Sequence, residues 1–219
     1  MLNYISKIDW YNVPDELVWN EVAGISIDHE NRVIVFVRGE SPVIILSTSG
    51  EYLDSFGKGE FTNRAHSVRV DSKNYYWFVD DGNHTVSKYN SNGERLLTIG
   101  IPNKPAELHS GIPFNRCTDI AVDYKNEVLF ISDGYGNSSV HKYTLDGDLI
   151  TTWGAPGTDP GQFNIVHNIA MDDSGLLYVA DRENHRVQIF DQEGNFVNQI
   201  VNMHRPCTCL LYTSDAADE

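Results

Sequence analysis

An aspartate returns along this chain at Asp28, Asp71, Asp123 and Asp172, at spacings of 43, 52 and 49 residues. Each closes a stretch of alternating character, of which DIAVD is the clearest. A period of this length constrains the fold more tightly than composition does, because a short unit buries its apolar face only by stacking on its neighbours. Each unit divides into four strands. After the alternating strand comes a continuously apolar one, YYWFV, EVLFI or LLYVA. A third follows (VSKYN, VHKYT or VQIFD), then a fourth (RLLTIG, LITTWG or FVNQIV). Between third and fourth lie SNGE, LDGD, QEGN and TSGE, whose glycines supply the positive φ of a tight hairpin. No helical periodicity competes. The expected fold is all-β, a β-propeller of four-stranded blades at about residues 21–57, 63–100, 115–154 and 164–201.

The connections carry more individual character. IPNKPAELHSGIPF (101–114) and GAPGTDPGQF (154–163) are long, contain proline, and join the outer strand of one blade to the inner strand of the next. Loops placed there are expected to line the ligand-binding face of a propeller. Between second and third strands, GYGN follows Asp133 and REN follows Asp181. The first turn has one residue more and carries Tyr135. An extra residue at a strand end is expected to form a bulge that re-aims its side chain. The second turn places Arg182 directly after its aspartate.

Composition narrows the partners. The net charge of −15 argues against nucleic acid, whose binding needs Lys and Arg on phosphates. No apolar run is long enough to cross a membrane. The charge says little else, since acidic surfaces are common. Three cysteines, Cys117, Cys207 and Cys209, make no disulfide framework. The opening MLNYISKIDW has no apolar signal core, which leaves a cytosolic protein or one that starts further upstream. Residues 209–219, CLLYTSDAADE, break the pattern and resemble translated sequencing-adapter sequence. They are read as a non-native tail, with the natural protein expected to continue past Thr208.

His66 and His167 stand five residues before Asp71 and Asp172, where the other two units have Ala23 and Thr118. At the start of an inner strand, imidazoles suit a zinc ion with an open position. They equally suit a hydrogen bond between blades. Tyr135 is either an exposed aromatic in a glycine-rich turn or a phenol that acts as a base. A base role requires a nearby cation, because phenol titrates near ~10 in water. Arg182, and Arg38 at the end of VIVFV, suit a planar contact to a substrate carboxylate or a salt bridge to a neighbouring acid. His29, His84, His109, His141, His185 and His204 are read as surface or turn residues without a shared geometry.

The D-x-x-N-x-x-V/I pattern, the PGQF lead-in and the period resemble NHL-repeat propellers. Within that group SDGYGNS, PGQFNIVHNIA and VADRENHRVQIF resemble the peptidyl-α-hydroxyglycine α-amidating lyases, most strongly from Asn115 to Phe190 and overall from about Ile25 to Ile200. The resemblance implies a six-bladed propeller, of which four blades are present. It implies a zinc ion held by His66, His167 and a third histidine from the sixth blade, alternate blades lying about 120° apart by symmetry. Tyr135 becomes the catalytic tyrosine, and Arg38 and Arg182 the arginines of the site. A structural calcium falls partly on the carbonyls of Ile25 and Val68. The implied partner is a small-molecule or peptide substrate, and the implied reaction is metal-dependent cleavage of the N–C bond of a peptidyl-α-hydroxyglycine, giving an amide and glyoxylate. Four blades alone are expected to be inactive, with sheet surfaces and edges uncovered. Two family disulfides are absent together, at Asn115 with Gly136 and at Tyr178 with Ile189, as suits a reducing setting. A non-catalytic NHL binding or scaffold module is the alternative. A calcium-dependent lactone hydrolase would need a Glu, Asn and Asp cluster that the sequence alone does not assemble.

Overall fold

The computed structural model of the chain describes residues 5–17, 19–111 and 114–211. Within them sixteen strands form four antiparallel sheets, each ordered first strand to fourth. The first sheet is β1 Trp19–Ile27, β2 Val33–Gly39, β3 Val43–Leu46 and β4 Tyr52–Phe56. The second is β5 Ala65–Val70, β6 Tyr76–Asp80, β7 Thr85–Tyr89 and β8 Arg95–Ile99. The third is β9 Cys117–Asp123, β10 Val128–Asp133, β11 Ser139–Thr144 and β12 Leu149–Trp153. The fourth is β13 Val166–Met171, β14 Leu177–Asp181, β15 Arg186–Phe190 and β16 Phe196–Ile200. The first strands β1, β5, β9 and β13 stand side by side in that order. This is the propeller that the period predicts. Residues 212–219, most of the segment read as a non-native tail, lie outside the described residues.

The second strands are continuously apolar because both of their faces are covered. Ile34 and Phe36 of β2 pack with Tyr76 and Phe78 of β6, between the first two blades. Val33, Val35 and Val37 point the opposite way, against Trp10 and Val13. Trp77 and Val79 meet Ile120, Leu129 and Ile131 between the second and third blades. Phe130 meets Ile169, Val179 and Phe190 between the third and fourth. Phe36, Phe78, Phe130 and Phe190 are fully buried. Truncating such a ring to alanine typically costs about 3–5 kcal/mol.

The periodic aspartates are turn-formers. One carboxylate oxygen of Asp28 accepts the N–H groups of Glu30 and Arg32, and that of Asp71 those of Lys73 and Tyr75. Asp172 holds Ser174 and Leu176 in the same way, and Asp123 holds Lys125 and Asn126. The second oxygen of three of them takes a donor from the next blade. Tyr76 donates to Asp28 at 2.7 Å, Tyr124 to Asp71 at 2.6 Å and Gln192 to Asp123 at 2.7 Å.

Two expectations are corrected. Among the described residues, none of loops 101–114 and 154–163 lines the main cavity. Both loops instead brace the hairpin turns from outside. His109 N–H donates to Gly136 O and Gly111 N–H to Asn137 Oδ1, while Gly157 O accepts from Asn184. Nor are the remaining histidines all peripheral. His141 is fully buried, within 3.1 Å of Asp133 and 2.9 Å of Thr152 Oγ1, because its alternate position on β11 faces inward. His84 and His185 do share a geometry. Both are left-handed (φ 58° and 56°), and the Nδ1 of each accepts a backbone N–H from the segment that follows its own blade, that of Arg116 or Arg205.

Candidate functional site

In every blade the ladder between first and second strands skips a residue at one shared position, and the first blade skips Asn20 as well. Val22 pairs with Val37 and Gly24 with Phe36, leaving Ala23 over. Ala65–Asp80 and Ser67–Val79 leave His66. Cys117–Asp133 and Asp119–Ser132 leave Thr118, and Val166–Asp181 and Asn168–Ala180 leave His167. Two residues against one is a β-bulge, which bends the strand and turns the extra side chain out of the pleat. The bulge expected at Tyr135 is therefore elsewhere. β10 and β11 pair without a shift up to Asp133–Ser139, and the extra residue lengthens the connection 134–138 beyond the ladder. Gly134 lets that connection rest on the fourth blade, since a Cβ there would overlap the Val166 carbonyl oxygen.

These devices bring three side chains to one point. Tyr135 Oη lies 2.9 Å from His167 Nε2 and 3.1 Å from His66 Nε2. The two imidazole rings are 5.0 Å apart, centroid to centroid. Each ring is fixed from behind by a carbonyl of the adjoining segment, His66 Nδ1 at 2.6 Å from Thr118 O and His167 Nδ1 at 2.8 Å from Cys207 O. A carbonyl only accepts, so both Nδ1 atoms carry the proton and both Nε2 atoms present lone pairs. Burial pushes the His66 imidazole below its ordinary value and His167 down to about 4, so both rings are neutral near pH 7. One phenol proton cannot satisfy two such acceptors. The donor set therefore suits a cation at the Nε2 atoms, as zinc–imidazole chemistry requires. Among the described residues no group of three or more His, Cys, Asp or Glu gathers around an ion.

The cavity beside these residues measures about 570 Å³ and opens to solvent. Arg38, Ile25 and Val68 line it together with His66, Tyr135 and His167. Arg38 is held by Glu21 at 2.6 Å and by Ala65 O at 3.2 Å. Arg182 does not line the cavity. Its guanidinium lies 5.6 Å from the centre of the Tyr135 ring, and its Nε donates to Glu183. Ile25 exposes its side chain, whereas the Val68 side chain is core, so only the Val68 backbone borders the cavity. The positions of the absent disulfides are neighbours. Gly136 N–H donates to Asn115 O, and Tyr178 stands opposite Ile189.

Sequence reasoning missed several participants. Glu21, Asp119 and Asn168 all line the cavity, yet Glu21 is engaged by Arg38 and Asp119 by Arg69 and Asn168. Arg116 stacks on the Tyr135 ring with its guanidinium carbon 4.4 Å from the centroid. The signal was the dipeptide Asn-Arg, which opens both the second and third units at Arg64 and Arg116. Both arginines bind the carboxylate of Asp81.

The fold defines the class, a β-propeller, and within it residues 163–190 match the NHL repeat family. Within that class the chain resembles the peptidyl-α-hydroxyglycine α-amidating lyases. It is 33% identical over 224 residues to peptidyl-glycine alpha-amidating monooxygenase A of Xenopus laevis, covering 88% of this chain and 23% of the relative. A probable peptidyl-alpha-hydroxyglycine alpha-amidating lyase of Caenorhabditis elegans is 32% identical over 179 residues, covering 79% and 49%. NHL repeat-containing protein 3 of Mus musculus is 31% identical over 181 residues, covering 77% and 51%. The chain thus spans 23% of the Xenopus relative and about half of the other two. Among solved structures, a nidogen/laminin complex superposes with a TM-score of 0.67 at 14% identity, covering 87% of this chain and 68% of that one. A streptogramin B lyase does so at 0.62 and 16%, covering 82% and 54%. Likeness at that level shows the fold alone.

Proposed function

We propose that the chain forms part of a carbon–nitrogen lyase that cleaves a peptidyl-α-hydroxyglycine to an amide and glyoxylate. The observation that carries this reading is the convergence of two Nε2 lone pairs on one phenol oxygen at a cavity wall. His66 and His167 would hold a zinc ion, with a third ligand from a further blade, and the ion would supply Lewis acidity to a bound hydroxyl. A structural calcium is proposed at the carbonyls of Ile25 and Val68.

Tyr135 acts as the base that takes the proton of the substrate hydroxyl, with the guanidinia of Arg116 and Arg182 beside its ring. The electron pair left on the hydroxyl oxygen forms the aldehyde C=O as the N–C bond breaks. Tyr135 returns that proton to the amide nitrogen as glyoxylate leaves with its carboxylate. Arg38, on the cavity wall, meets that carboxylate when it exchanges its partner Glu21 for substrate. Arg182 acts from behind the phenol ring, not from the wall.

The test is glyoxylate release from an N-acyl-α-hydroxyglycine by the full-length protein, alongside metal analysis. Stoichiometric zinc with glyoxylate formation is expected. A full-length protein that holds zinc and releases none would overturn the assignment. The second reading, a non-catalytic NHL binding module, is favoured by the inter-blade bonds that occupy both Nδ1 atoms and by the salt bridges that occupy Arg38 and Arg182. Absence of both zinc and glyoxylate would select it.

A further inference from the structure

Arg116 is fixed on four sides. Its backbone N–H donates to His84 Nδ1 at 3.0 Å, and its carbonyl accepts the Tyr135 N–H at 3.5 Å. Its guanidinium binds Asp81 at 3.2 Å, and the guanidinium face covers the Tyr135 ring at 4.4 Å. Its φ of 66° is left-handed, a conformation that costs a non-glycine residue free energy unless its surroundings impose it. Its Nε is buried without a hydrogen-bond partner among the described residues. The guanidinium therefore gives up a hydrogen bond and keeps contact with the ring.

The equivalent positions in the neighbouring blades lack this contact. Arg64 O accepts the Asp81 N–H and Ile165 O the Arg182 N–H, so the backbone link recurs. Arg64 also binds Asp81, but among the described residues neither it nor Ile165 stacks on a ring. Only in the third blade does the linking residue cover an aromatic side chain, and that side chain is the phenol shared by His66 and His167. The charged and titratable groups that face Tyr135 are His66 of β5, His167 of β13, Arg182 just after β14, Arg116 with its partner Asp81, and Arg64, which shares that aspartate and acts on the phenol through its charge without stacking on the ring.

We infer that Arg116 is a positioning residue for Tyr135, one that carries the fixed turn of the second blade, through Asp81 and His84, onto the phenol of the third. The kinetic part of this inference rests on the lyase reading above, whereas its structural part does not. A planar cation over a ring restrains the ring plane, and a misplacement of about 1 Å at a reacting atom costs up to ~10²-fold in rate.

The test uses the full-length protein labelled with fluorotyrosine. The Tyr135 fluorine resonance is assigned by its loss in Tyr135→Phe. Arg116→Ala is expected to shift and broaden that resonance, and Arg116→Lys, which keeps a cation above the ring, to restore most of it. Lys58→Met, which removes a charge bound to Glu40 and touches neither the ring nor Arg182, should leave it in place. In the glyoxylate assay Arg116→Ala should lower kcat roughly tenfold with KM unchanged. An unchanged resonance in Arg116→Ala overturns the inference, as does an equal change in Lys58→Met. If the resonance behaves as expected but the parent protein releases no glyoxylate, the lyase assignment fails and the positioning role stands.

Discussion

The same backbone device occurs in all four blades and serves two ends. In the second and fourth blades the bulged residue is His66 or His167, and its ring reaches the shared phenol. In the third it is Thr118, whose hydroxyl donates to Val166 O at 2.9 Å and whose carbonyl holds His66 Nδ1. In the first it is Ala23, whose side chain offers no polar atom. The difference teaches that the bulge creates an inward-facing position and that side-chain choice decides what the position does. Thr118 seals one blade to the next and orients its neighbour's imidazole. His66 receives that orientation, His167 takes its own from the Cys207 carbonyl, and both turn lone pairs toward the cavity.

The sharpest way to break this contrast is to remove the group on which the histidine bulges converge. Tyr135→Phe is expected to reduce glyoxylate release by about 10²–10⁴-fold, as loss of a positioned base does, with little change in melting temperature. A fall below tenfold would mean that the rings converge for packing alone. Thr118→Val should show the reverse pattern. The Val166 carbonyl loses its donor, and stability falls by about 1–3 kcal/mol in urea titrations. Smaller still is His185→Ala, which frees the Arg205 N–H and should cost about 1 kcal/mol or less, measured in the same way.

The period, the hairpin turns and the placement of His66 and His167 were legible because each depends on spacing within one unit. The bulge phase was not. Two-against-one pairing is a property of a strand and its partner, and nothing in AHSV or VHNI records which residue is skipped. The expectation of a bulge at Tyr135 failed for that reason, since residue counting locates an insertion but not whether ladder or loop absorbs it. Arg116 was hidden for another reason. Its role comes from a left-handed backbone and from contacts to Asp81 and Tyr135, 35 and 19 positions away. His84 and His185 share a left-handed turn that only the dihedral angles reveal.

The periodic turns offer a final contrast with the bulges, because here the blades agree. Burial works against ionisation of Asp28, Asp123 and Asp172. Hydrogen bonds from Tyr76 and Arg32, from Gln192 and Asn126, and from Ser174 and Leu176 outweigh it and hold all three carboxyls below their ordinary 3.8. A lowered folded value means that the unfolded chain binds protons first. Stability is then complete above pH 3.8 and declines as pH falls through the lower folded values. Urea midpoints measured from pH 5 downward should show this decline, and Asp28→Asn should flatten part of it. A slope unchanged in that variant would show that the turn carboxylate contributes nothing at the blade seam.

The seam bonds also impose a direction on the emerging chain. Tyr76 follows Asp28 by 48 residues, Tyr124 follows Asp71 by 53, and Gln192 follows Asp123 by 69. A ribosome therefore releases each acceptor well before its donor. Each of these three blades emerges with one seam bond still to be made, and its successor supplies the donor, so the propeller is secured vectorially.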